Sequence, residues 1–252
     1  MNRSLLLLLL LAGFFIGLTA FAPLGTALRM GGANKLGVSW ASAEGTAFDG
    51  KLTSIESRGT KIGDANLHLM PGALLTGRLK YGVEWTGEDG RGNGEFSAGF
   101  GNRLSLTNYD VDLDLVHLEQ AARWIQQSGG RLRVRGSHIR FKGNQCLDAK
   151  GTAQSDVLDR NRDILGPGWS EMRGELRCEN GILIVPLESA NSSGTQFRAL
   201  LRFAPGGTGS FEARVSGPIT RELMFALPIA GFTLDGRDYI YNYLPTPQGN
   251  PT

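Results

Sequence analysis

Along most of this chain apolar and polar residues alternate one for one. Leu79, Tyr81, Val83 and Trp85 fall on one side of an extended segment, and Arg78, Lys80 and Glu84 on the other. Leu104 and Leu106 set a phase that slips at Thr107-Asn108. Tyr109, Val111, Leu113 and Leu115 then continue the apolar side against Asp110, Asp112 and Asp114. A one-residue slip inside an alternating run predicts a β-bulge or a strand bend. Leu132 and Val134 alternate with Arg131, Arg133 and Arg135, Gly136 breaks the phase, and Ile139 and Phe141 resume it. Met172, Gly174, Leu176 and Cys178 oppose Glu171, Arg173, Glu175 and Arg177, and Asn180-Gly181 predicts a tight hairpin turn into Ile182–Val185. Phe197, Ala199, Leu201 and Phe203 face Phe211, Ala213 and Val215 across a Pro-Gly-rich turn, the signature of a hairpin. Leu36–Trp40 opens the β pattern, and Tyr239–Tyr243 closes it as a last strand or extended edge.

Few segments break the alternation. Val116–Ser128 has apolar residues at helical spacing and ends at Gly129-Gly130, which predicts a helix. Pro218–Gly231 predicts a short amphipathic helix interrupted by Pro228. Gly87–Gly94 predicts a polar turn, and Asp156–Asp163 a charged segment without a strand. About ten or eleven strands joined by short turns favour antiparallel meanders. The expected fold is mainly β: an N-terminal transmembrane helix, then a large curved, mostly antiparallel sheet with one or two short helices. A two-sheet sandwich is the close alternative.

The stretch Ser4–Leu28 carries no charge and is long enough for an apolar helix to cross a bilayer. Arg3 and Ala20-Phe21-Ala22 also suit a cleaved signal peptide, but Pro23 would follow the cut and the apolar run is longer than usual. An uncleaved anchor is the expectation, and either reading exports the rest of the chain. Gly13 and Gly17 have the spacing of a close helix contact, a pattern that chance often produces in apolar segments. The expected organisation is a membrane anchor over 1–30, opening through Gly31-Gly32 and Asn34 into a periplasmic β-domain over 31–244. A disordered tail over 245–252 follows, with three of its eight residues proline.

The chain has 252 residues, 36 glycines without a collagen-like period and a net charge of +2, so nothing points to a nucleic-acid partner. Its two cysteines, Cys146 and Cys178, are a candidate disulfide in an exported domain, closing a loop of about 32 residues. The alternative is two buried free thiols. No histidine lies near either cysteine at ligand spacing, so no metal is expected there. Gly45–Lys51 has the glycine and lysine spacing of a phosphate-binding loop. However, Leu52 stands where a hydroxyl should bind magnesium, and no helix pattern follows, so a turn between strands is expected. His68, His117 and His138 are far apart in sequence and name no catalytic base. Asp110, Asp112 and Asp114 lack a calcium loop. They form either a solvated face or one that pairs with the arginines 131–135 across neighbouring strands. Asn191-Ser192-Ser193 fits a glycosylation sequon, a short match that chance also produces. No catalytic residues and no cofactor are expected.

Several features taken in order resemble the type II secretion system protein N family (GspN). They are the apolar N-terminal helix, the turn Gly45–Lys51, the glycine-punctuated strands and the Leu113-to-Arg135 strand–helix–strand. Cys146 before Ala149-Lys150-Gly151 and Cys178 before Asn180-Gly181 complete the set. The resemblance covers nearly the whole chain. It implies a non-enzymatic, single-pass inner-membrane protein with its C-terminal domain in the periplasm, part of the machine that exports folded proteins. The implied partners are inner-membrane platform components, with the outer-membrane secretin as a further candidate, and the bilayer through the N-terminal helix. It also implies Cys146–Cys178 as the disulfide pair. A competing expectation is a lipid-handling module of AsmA type, in which Leu79, Tyr81, Val83, Trp85, Phe197, Leu201 and Phe211 line an open groove instead of a core. A hydrolase is disfavoured for want of a nucleophile and base.

Overall fold

The computed structural model describes residues 22–30, 37–57, 60–99, 101–116, 129–204 and 209–243. The apolar stretch through Phe21, the linker glycines, the helix expected from His117 on, the turn Pro205–Thr208 and the tail lie outside them. Among the described residues no helix is long and apolar enough to cross a membrane. The chain divides into two compact units, residues 1–97 and 98–252.

The first unit begins with helix α1 (Leu24–Met30), followed by β1 (Val38–Ser39), β2 (Ser42–Gly45), β3 (Asp49–Ser57), β4 (Thr60–Leu69), a 3₁₀ turn (Pro71–Thr76), β5 (Arg78–Gly87) and β6 (Gly90–Gly99). Strand order is β1-β3-β4-β5-β6, with β2 also on β3. One cross-strand row, Ala43–Leu52–Ala65–Trp85, shows why the alternation matters, since all four residues share the apolar face. Leu24, at 1% exposure, packs with Leu52, Ile55 and Ala65. The end of the expected anchor, Leu24–Met30, is therefore a short helix seated on β2 and β3. Turn residues at Gly87–Gly94 shrink to Glu88-Asp89, because Gly90–Gly94 joins β6.

The second unit contains β7 (Arg103–Asp114), β8 (Arg131–Lys142), β9 (Gln145–Ser155), α2 (Val157–Arg160), α3 (Arg162–Leu165), β10 (Met172–Glu175), β11 (Arg177–Glu179), β12 (Ile182–Ala190), β13 (Gln196–Phe203), β14 (Gly209–Ser216), α4 (Arg221–Ile229), β15 (Thr233–Asp235) and β16 (Asp238–Tyr243). The order is β7-β8-β9-β10-β12-β13-β14-β16-β15, with β11 beside β12, and the registered pairs are antiparallel. Asn180 and Gly181 both have positive φ, 51° and 78°, the twist that a two-residue hairpin needs. The charged segment after Asp156 forms α2 and α3. Its acids bond its own arginines, Arg160 to Asp156 at 2.7 Å and Arg162 to Asp159 at 3.0 Å, so Val157, Leu158 and Leu165 turn inward. Short helices are thus more numerous than the one or two expected.

The expected phase slip is present. Asn108 has φ 49°, and β8 shifts register against β9 between Gly136 and His138. The register of β7 on β8 runs unbroken from Arg103↔Lys142 to Asp114↔Arg131, so both strands invert together. Tyr109 is buried at this point, and its hydroxyl donates to the Lys150 carbonyl at 3.4 Å. A methyl group built on Gly136 or Gly151 would collide with that hydroxyl and with backbone oxygens.

The core lies on the opposite face from the charges. Trp169 meets Phe197 edge-on at 6.3 Å, Phe197 meets Phe232 at 6.1 Å, Phe232 meets Tyr241 at 5.5 Å, and Tyr241 meets Phe211 at 6.0 Å. α4 closes over this line. Its Thr220 cap accepts from the Leu223 N–H at 3.4 Å, and Leu223, Ala226 and Leu227 are buried at helical spacing.

Gly136→Ala and Gly151→Ala each lose about 1–3 kcal/mol of stability, because backbone must move to admit the methyl. Gly72→Ala, where nothing lies within 4 Å, stays near wild type. Denaturant unfolding of the three variants checks this, and equal stabilities would refute the packing described at Tyr109.

Candidate functional site

The sequence candidates separate into scaffolding and surface. Cys146 on β9 and Cys178 on β11 are joined by a disulfide, their Cα atoms 5.5 Å apart. β11 is registered on β12 alone. Beside it, the Cys146 N–H donates to the Gly181 carbonyl at 2.7 Å and the Leu176 N–H to Gly151 at 2.9 Å. The disulfide therefore ties β11 to β9 where the strand ladder between them is interrupted. Gly45–Lys51 is the end of β2, the turn Thr46–Phe48 and the start of β3, with the Thr46 hydroxyl accepting from the Phe48 N–H at 3.2 Å. Asn191 is buried, and its carbonyl oxygen accepts from the Ser193 and Thr195 N–H groups at 3.0 and 2.9 Å, which occupies the sequon side chain internally.

The acidic row and the arginine row meet. Asp110, Asp112 and Asp114 stand opposite Arg135, Arg133 and Arg131. Arg135 reaches Asp110 at 2.8 Å, and Arg133 reaches Asp112 at 3.2 Å. The pairing continues across the same face: Arg198 with Glu188 at 3.5 Å, Arg202 with Glu212 at 3.1 Å, and Arg214 with Asp238 at 3.1 Å. Ion pairs this exposed add little stability each. Their effect is to leave the face electrically balanced among the described residues, each of these acids having an arginine nearby.

Ser137, His138 and Asp148 form a hydrogen-bonded string, Ser137 Oγ to His138 Nδ1 at 3.1 Å and His138 Nε2 to Asp148 Oδ2 at 2.7 Å. It does not read as a nucleophilic triad. Ser137 adjoins His138 in sequence, and Asp148 is shared with Arg140 on an open strand face. Arg140 first, and His138 second, hold the Asp148 carboxyl below the usual carboxylate range. His68 lies elsewhere, on β4 opposite Gly82. Among the described residues no cluster of metal-ligating side chains occurs.

What the pattern reading missed is apolar and exposed. On α4 the side turned away from the core carries Met224, Phe225, Pro228 and Ile229. Phe225 is 67% exposed and Ile229 89%. Leu234 on β15 is exposed as well. β15 covers β16 only from Asp238 to Ile240, so Tyr241–Tyr243 has no registered outer neighbour among the described residues. An apolar helix face thus lies next in sequence to a strand edge. The signal was present in Leu223–Phe232, which is apolar at nearly every position; a helix apolar all round expects cover on both sides.

The seven residues of the groove expectation divide between the two units. Phe197 is closed inside the aromatic core, and Leu201 and Phe211 are half-buried at its margin. In the first unit Tyr81, Val83 and Trp85 are half-buried and Leu79 is exposed.

No curated protein and no solved structure matches the chain. The model of one family, described as type II secretion system (T2SS), protein N, matches residues 36–240. That span takes in the phase slip at Asn108, the disulfide, α4 and the first half of β16, and by it the chain belongs to the type II secretion system protein N family.

Proposed function

We propose that this protein is a non-enzymatic component of a type II secretion system, linking or stabilising parts of its envelope assembly. In this reading Ser4–Phe21 anchors it in the inner membrane and both units occupy the periplasm. Eighteen uncharged helical residues reach about 27 Å, close to the hydrocarbon thickness of a bilayer. A disulfide suits the oxidising periplasm. Family membership supports a role in the machine.

The single observation that carries the partner-binding reading is the exposed apolar outer side of α4, which precedes in the chain the edge of β16 left free among the described residues. The occupant we propose is another subunit of the machine, offering an apolar segment against Phe225 and Ile229 and an extended strand along Tyr241–Tyr243. Bilayer lipid is the competing occupant, and the same experiment separates the two.

Photocrosslinkers placed at Phe225, Ile229 and Tyr243 in native membranes form adducts with other subunits of the same machine. A probe at Arg173, on the charged face, forms few. Adducts with lipid alone would overturn the assembly reading in favour of lipid handling. In a separate test, the double variant Cys146→Ser/Cys178→Ser, unfolded in denaturant without reductant, loses about 3–4 kcal/mol. An unchanged midpoint would show that the disulfide contributes nothing to the fold.

A further inference from the structure

The described chain begins at one end of the first unit's sheet. The Ala22 carbonyl accepts from the Ala47 N–H at 3.0 Å, and Pro23 bridges Thr46. Two bonds lead onward from this turn. The Phe48 carbonyl accepts from the Leu69 N–H at 2.7 Å, and the Ala47 carbonyl accepts from the Tyr81 hydroxyl at 2.9 Å. Leu69 ends β4 and Tyr81 lies near the start of β5, so the 3₁₀ turn between them, Pro71–Thr76, belongs to the same end of the sheet. The turn Glu88-Asp89 follows the far end of β5.

That 3₁₀ turn has an unusual surface. Leu75 is 92% exposed and Leu74 46%, Ala73 lies between them and Pro71, and Leu79 is exposed on the strand that follows. No residue of the turn is buried. Arg78 stands exposed directly after it. An apolar tip with a cation at its base is the composition of a segment that enters the headgroup layer of a membrane.

We infer that Pro71–Thr76 is a second membrane contact. Leu74 and Leu75 insert into the bilayer interface beside the point where the N-terminal stretch leaves it. The occupant is lipid, because the uncharged apolar run that starts at Ser4 leads directly into Ala22, and Ala22 is hydrogen-bonded to this end of the sheet. The inference rests on the anchor reading above. It adds that the first unit is oriented at the surface, with Leu75 toward the bilayer and Glu88 away from it.

The test uses the full chain in liposomes of phosphatidylethanolamine and phosphatidylglycerol, with a polarity-sensitive fluorophore on a single introduced cysteine and the native disulfide kept oxidised. Labels go at Leu10, Leu75 and Glu88, with Ala73 as a second position on the tip. The label at Leu75 blue-shifts and loses emission to a lipid quencher about 5–10 Å deep, at least twofold more than the label at Glu88. The label at Leu10 responds to a quencher at the bilayer centre. Quenching at Leu10 with none at Leu75 or Ala73 would overturn the inference and leave the anchor intact. No quenching at Leu10 would overturn the anchor reading and the inference with it. Equal quenching at Leu75 and Glu88 would refute the orientation.

Discussion

Tyr109 lies across two glycines and thereby fixes the register of β7, β8 and β9, the three longest strands of the second unit. The side-chain period of a strand is two, so a slip of one residue would exchange the apolar face for the charged one. Here the inversion is built in at a single level. Asn108 adopts positive φ, β8 shifts against β9 beside Gly136, and the ring fills the space that the glycines leave open. Burial pushes the Tyr109 hydroxyl up to about 12, so it stays a neutral donor throughout the physiological range. Beyond that level every charge of Asp110–Asp114 and Arg131–Arg135 falls on one side, and every apolar partner on the other.

Where the alternation was strong, the sequence was a good guide. The slip at Asn108, the hairpin at Asn180-Gly181, the antiparallel pairing of 197–203 with 211–215 and the helix containing Pro228 are all present. Each rests on local chemistry: a period of two, a turn needing positive φ, or an apolar stripe of period 3.6. The misreadings share an opposite cause. Gly90–Gly94 has no apolar side chain to mark a period, so a strand held by backbone bonds looked like a turn. Asp156–Asp163 read as charged with no helix assigned, because the residues it buries, Val157 and Leu158, sit among ion-paired acids and arginines. Leu24–Met30 continued an apolar run, and only its contact with Leu52 and Ile55 separates it from the stretch before it.

The surface candidates were less legible than the fold, for a physical reason. The alternating pattern reports which residues are turned inward; it does not report which inward-type residues are left without cover. Leu74, Leu75, Phe225 and Ile229 have the composition of a core, and only the three-dimensional arrangement shows them facing out. Conversely, the residues that looked most like chemistry are already occupied: the aspartate row pairs with arginines, and the histidine at 138 bonds Asp148, which Arg140 also holds. The family match accords with this distribution, since a secretion component needs surfaces that other molecules can occupy.

The bond from Ala47 to Ala22, with the bridge from Pro23 to Thr46, also sets how force would travel through the first unit. Tension that reaches Ala22 passes straight into the sheet. It enters at the β2–β3 turn, passes through the Phe48–Leu69 bond into β4, and is shared by strands whose ladders must break in concert. The apparent linker at Gly31-Gly32 comes after this junction in the chain. A pull on Ala22 would therefore load β2, β3 and β4 together instead of peeling one strand from the edge.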